Sequence, residues 1–223
     1  MTVVQLRTSL LLPHTIGFSE ESAAKYSALL ANAKLKKADD SDEEWGFSSD
    51  KIEVMFLPNR VNVVSHQNMD EKAEVTDFIK RTIRIFNEIL HNEGVGARVI
   101  SYSPILAFDN SGDFSNELFF STLLKVNSVS GVKPSTTSFQ AAYHIERELP
   151  SGKCEVNHIV NFSEGVKITR SEGNEMKSDC LMAEMELNVP LKKEGYNMDD
   201  VEAFFSQAED WKQEILDAYF NSL

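Results

Sequence analysis

Residues 51–67 read KIEVMFLPNRVNVVSHQ, and their pattern decides the fold class. Ile52, Val54 and Phe56 recur at period two, and Val61 and Val63 do the same after them. Such alternation marks extended strands, whose successive side chains point to opposite faces. Pro58 and Asn59 stand between the two runs. Proline presets its own φ and asparagine tolerates turn geometry, so the stretch predicts a tight β-hairpin. Met55, Leu57 and Val64 make its second face apolar as well, which reads as scaffold rather than as a binding edge.

Outward from the hairpin, the next segment switches period. Val75, Phe78, Ile79, Thr82, Ile83, Phe86, Ile89 and Leu90 recur every three or four residues, predicting an amphipathic helix over 69–92. Asn68 and Glu71 suit a capping box, and Gly94 supplies the stop. Lys80, Arg81 and Arg84 fall on its solvent side. Upstream, Val4, Leu6, Thr8 and Leu10 predict a strand, and SEESAAKYSALLANAKL a short helix capped by Ser19. The charged run KKADDSDEEWGFSSD reads as an exposed loop pinned by Trp45 and Phe47.

Downstream, ARVISYSPILAFD predicts a strand, at an edge or bulge because Pro104 has no ladder donor. NSGD reads as a turn and ELFFSTLLKVNS as a further strand. TSFQAAYHIEREL and KCEVNHIVNFS form a second hairpin about Pro150-Ser151-Gly152, and SDCLMAEMELNVP a last strand. From Asn197 the chain closes as a helix with Val201, Phe204, Phe205, Ala208, Trp211, Ile215 and Tyr219 on one stripe. Hairpin turns outnumber crossovers. The expectation is an α+β fold with a mainly antiparallel sheet, a long amphipathic helix after the first hairpin and a C-terminal helix packed on the sheet. One domain over 1–223 is expected, with two structural half-repeats, 1–112 and 113–223.

The EVMFLPNRVNVVS hairpin running into a long helix, the strand ARVISYSPILAFD after it, and the closing helix DDVEAFFSQAEDWKQEILDAYF carry a family resemblance. Together they resemble a sporadically distributed, functionally uncharacterised family of bacterial α+β proteins of similar length. The resemblance covers most of the chain and implies a fold but no reaction.

The formal net charge is −13 on 223 residues. Residues 1–112 carry 12 basic and 16 acidic groups, and residues 113–223 carry 10 and 19. A chain this acidic opposes nucleic-acid backbones, whose binding needs cationic groups to displace counterions. No apolar run approaches the ~20 residues that span a bilayer, and no secretory signal opens the chain, so a cytoplasmic location without membrane contact is expected. Cys154 and Cys180 read as buried small apolar residues.

The sequence contains no phosphate-binding glycine loop, nucleophile elbow or His-x-x-x-His pair. One constellation carries metal chemistry. A three-residue turn at Pro150-Ser151-Gly152 would set His144 opposite His158, with Glu146 on the same face, a ligand set for zinc. A one-residue change of register separates the histidines. The paired carboxylates Asp39-Asp40, Asp42-Glu43-Glu44, Asp199-Asp200 and Glu209-Asp210 sit in a loop or on helices, where they solvate and complement the helix dipole.

No catalytic residue and no cofactor is assigned. The reading is a non-enzymatic accessory or regulatory protein, such as an immunity, antitoxin-like or inhibitory factor, that binds a basic protein through an acidic surface. Asp199, Asp200, Glu209, Asp210 and Trp211 of the last helix are the expected partner-binding residues. Two alternatives stay open: a metal-dependent hydrolase or nucleotide-processing enzyme built on His144 and His158, and a structural homo-oligomer, most simply a homodimer, using a second apolar face at Leu216 and Phe220.

Overall fold

In the computed structural model, residues 1–38, 41–110, 115–123, 137–171 and 174–221 are described. The Asp39-Asp40 pair, most of the turn expected at 110–113 and the end of the strand expected over 117–128 lie outside them. The elements are β1 (Thr2–Leu11), α1 (Glu20–Ser27), β2 (Lys34–Lys37), β3 (Trp45–Ser48), β4 (Ile52–Leu57), β5 (Arg60–Ser65) and α2 (Lys72–Glu93). There follow β6 (Val99–Asp109), α3 (Asn116–Leu123), β7 (Ser138–Leu149), β8 (Gly152–Ser171), β9 (Asn174–Asn188) and α4 (Met198–Phe220). The strands form one sheet in the order β2-β3-β4-β5-β1-β6-β9-β8-β7, and every pairing is antiparallel. The fold is α+β, with α4 packed on the sheet.

The deciding hairpin closes as its turn residues require. Leu57 pairs with Arg60, and Asn59 adopts a left-handed φ of 59°. Ile52, Val54, Phe56, Val61 and Val63 are all buried toward the helices. The apolar face of α2 packs on α4, where Phe86 meets Phe205 at 5.6 Å between ring centroids. Each such fully buried side chain contributes ~1.5–3 kcal/mol. Gly94 ends α2 with φ 64°. The helix begins three residues later than expected, with Glu71 at the cap position and the Glu74 carboxylate accepting from the Asp70 and Glu71 amides. Asn197 caps α4 as anticipated, accepting from the Asp200 amide at 2.9 Å.

Four segments differ from expectation. Residues 117–123 are helical. Asn116, Phe119 and Phe120 bury at helical spacing, and the Ser115 hydroxyl accepts from the Leu118 amide at 3.2 Å. The charged loop contains β3 and the end of β2, whose first residues, Lys34 and Leu35, lie in the stretch expected as helix, where α1 ends at Ser27. Trp45 and Phe47 pin it as expected, with Trp45 stacked on Phe56 at 4.2 Å and its indole N–H donating to Ile16. The strand carrying Pro104 is central, between β1 and β9. Its missing donor coincides with a break in the β6–β9 pairing at Ser103 and Pro104, while the bulge falls on β1 between Val3 and Gln5. Finally, β8 and β9 run on past Ser163 as a long hairpin, which leaves Val166, Ile168 and Met176 exposed.

The element order strand, helix, strands, helix runs from β1 to α2 and again from β6 to α4. No helix among the described residues is long and apolar enough to cross a membrane. Cys154 and Cys180 are free thiols, with Cys180 buried and Cys154 partly so.

Candidate functional site

The second hairpin turns on two residues, not three. Leu149 pairs with Gly152, whose φ of 121° only glycine adopts without strain. This shifts the ladder by one residue, so Tyr143 faces His158 and His144 faces Asn157. Successive side chains alternate, and the two histidines therefore lie on opposite faces of the sheet. His144 is exposed on the uncovered face, where Glu146 is held by Lys153 at 2.6 Å. His158 is buried beneath α4 beside Trp211. The structure does not bring His144, His158 and Glu146 together. Among the described residues no group of three or more His, Cys, Asp or Glu side chains is arranged to hold a metal.

The partner-binding residues expected on α4 divide by the helix period. Asp199 and Asp210 face solvent with Glu202, Glu214 and Asp217. Asp200 is fully buried, and its carboxylate accepts from the Ser151 amide at 2.8 Å and the Asn197 amide at 3.2 Å. It ties the start of α4 to the β7–β8 turn. Trp211 is also internal, with the Arg147 guanidinium 5.3 Å from its ring. Lys212, the one base of the helix, is buried and bonded to Glu209 at 2.6 Å, and Glu209 also accepts from the Tyr102 hydroxyl. The outward surface of α4 thus carries acids and no base. Leu216 and Phe220, the second apolar face, dock within the chain: Leu216 is buried and Phe220 packs on Phe108 and Phe119.

Glu209 and Asp210 are not isolated on the helix. They form one wall of a groove of about 270 Å³ between the second half of α4 and the start of α2. Asp70 and Glu71 form the other wall, and the buried Val3, Met69 and Val75 form the floor. The Asp70 carboxylate accepts from the Thr2 hydroxyl at 2.5 Å. Asp210 makes no side-chain hydrogen bond or ion pair among the described residues. Of the two lysines among the described lining residues, Lys212 is paired with Glu209 and Lys72 stands at the rim. Chemically this is a slot with an apolar bottom and an anionic mouth. A lysine or arginine fits such a slot, laying its methylene stem on the apolar floor while its charged head meets carboxylates.

Sequence reasoning found Glu209 and Asp210 but missed Asp70 and Glu71. Those two stand at the start of a helix, where acids are expected anyway. Only the packing of α2 on α4 sets them across from Asp210. No family model matches the chain, and no curated protein matches it.

Proposed function

We propose that the protein is a non-enzymatic accessory or regulatory factor that binds a basic protein partner, receiving a lysine or arginine side chain in the groove between α2 and α4. The observation that carries this reading is the placement of Asp70, Glu71 and Asp210 around an apolar floor, while the helix's own lysine is buried and neutralised. Carboxylates at the mouth steer a cationic partner, and the floor gives its stem apolar contact. The reading favours a protein over a nucleic acid because the mouth is anionic.

The test is fluorescence anisotropy with a labelled lysine- and arginine-rich peptide. Binding is expected to weaken about tenfold in Asp210→Ala, consistent with loss of a charge-assisted contact. It is expected to hold in Glu202→Ala, which removes an exposed acid of the same helix outside the groove. Equal losses in the two variants would mean a diffuse charge effect and would defeat the proposal.

A further inference from the structure

The helices cover one face of the sheet, and the uncovered face holds a second hollow, of about 280 Å³. Arg7 of β1 pairs with Ser103 of β6. Tyr102 pairs with Leu187 and Ile105 with Glu184, which sets Ser103 abreast of Glu186 on β9. Arg7, Ser103 and Glu186 therefore stand in one row across three strands, with Glu184 one step along β9. Neighbouring strands lie ~4.8 Å apart, so the backbones bearing the guanidinium and the carboxylate are ~10 Å apart. The short Ser103 side chain leaves the space between them unfilled. Among the described residues Arg7 and Glu184 make no ion pair or side-chain hydrogen bond. In the row of Glu184 stand Asn161 of β8 and Gln140 of β7, whose carboxamides are likewise unpaired.

Glu186 is held in place. The Asn188 carboxamide donates to it at 3.0 Å, Asn157 donates to Asn188 at 2.8 Å, and the His144 ring nitrogen Nδ1 lies 2.7 Å from the Asn157 oxygen. This relay runs across β9, β8 and β7 and fixes the carboxylate without neutralising it.

The geometry points to a binding site for a free zwitterionic α-amino acid, with its carboxylate on Arg7 and its ammonium at Glu184 and Glu186. Opposite charges that straddle an open gap without touching are each satisfied by a ligand carrying both signs. A charge-assisted hydrogen bond at either end pairs each charge of the ligand with the group of opposite sign beside it. A ligand with one charge leaves the facing group unpaired. Asn161 and Gln140 present donors and acceptors toward the ligand's side chain, which suits an amide such as that of glutamine. This site lies on the other side of the sheet from the acidic groove and does not depend on it.

The experiment is isothermal titration calorimetry of the full chain with L-glutamine. The single-charge analogues are 4-carbamoylbutanoate, which lacks the ammonium, and 4-aminobutanamide, which lacks the carboxylate. Glutamine is expected to bind, and removing either charge from it is expected to weaken binding at least about tenfold. Arg7→Gln and Glu186→Gln are expected to do the same. Both residues face the open side of the sheet, so the fold should survive, and circular dichroism checks that. Ser103→Trp, which fills the gap, is expected to abolish binding without touching either charge. The inference is overturned if glutamine gives no binding, if either analogue binds as tightly, or if binding survives in Arg7→Gln and Ser103→Trp. Asp210→Ala should leave glutamine binding unchanged, so failure here and failure of the acidic groove are read separately.

Discussion

Mild acid is expected to destabilise this protein through His158. The residue is 1% exposed on the helix-covered face of β8, and neither ring nitrogen has a hydrogen-bond partner among the described residues. Burial, and after it the nearby Arg147 guanidinium, push its pKa from 6.5 down to about 4, with Glu214 pulling weakly the other way. The folded value lies below the unfolded one, so the unfolded chain takes up the proton first. Stability from the neutral ring is present in full above the unfolded value and drains away as pH falls from 6.5 to about 4. At 1.36 kcal/mol per pH unit, the whole loss is about 3 kcal/mol. The assay is urea unfolding of the native protein and His158→Leu between about pH 7.5 and 4.5, spanning the imidazole range. Leucine nearly matches the volume and cannot titrate, so at neutral pH its stability should lie within about 1 kcal/mol of native. The difference between the two curves should close or reverse as pH falls. Parallel curves would refute the assignment of that acid sensitivity to His158.

Three other substitutions test the scaffold. Gly46→Ala places a Cβ 2.1 Å from the Val54 carbonyl oxygen, which belongs to the backbone and cannot swing aside. Denaturant unfolding should show a loss of about 2–3 kcal/mol. Asp200→Ala removes the acceptor for the Ser151 amide and half of the α4 cap, at a cost of about 2 kcal/mol on the same measurement. Glu93→Gln weakens the cluster in which the Glu93 carboxylate accepts from Tyr26 and meets His14 at 3.1 Å and Lys25 at 3.4 Å. Burial alone would raise its pKa, but bonds from Tyr26, His14 and Lys25 outweigh that and hold it below 4.5. Its contribution is therefore present above 4.5 and lost as pH falls through the lowered value. The glutamine variant should be about 1–2 kcal/mol less stable at neutral pH, with a shallower decline in acid below 4.5.

Strong local signals carried most of the architecture. Pro58-Asn59 between alternating runs marked β4 and β5, and the spacing from Val75 to Leu90 marked α2. Where a segment takes its structure from neighbours, the sequence alone misleads. Residues 117–123 are short and aromatic, and periodicity does not separate strand from helix over so few residues. Contacts of Phe119 with Phe162 and Phe220 accompany the helical choice. Strand β2 is an edge with three lysines, a common protection of sheet edges that reads as loop in sequence. The one-residue difference between a two- and a three-residue turn decided whether His144 met His158, and nothing in Pro150-Ser151-Gly152 distinguishes the two closures. The acidic groove was half legible. Asp210 stood out on an acidic helix, whereas Asp70 and Glu71 acquire meaning only from tertiary contact 139 residues away along the chain, as the Asp210–Glu71 separation in sequence shows.

A heteronuclear NMR titration with a lysine- and arginine-rich peptide bears most directly on how the protein works. Amide shifts confined to Asp70, Glu71, Lys72, Asp210 and Gln213, and abolished by Asp210→Ala, are the expected result. Shifts spread evenly along Asp199, Glu202, Asp210 and Asp217, or no shifts at all, would contradict a defined cationic slot between α2 and α4.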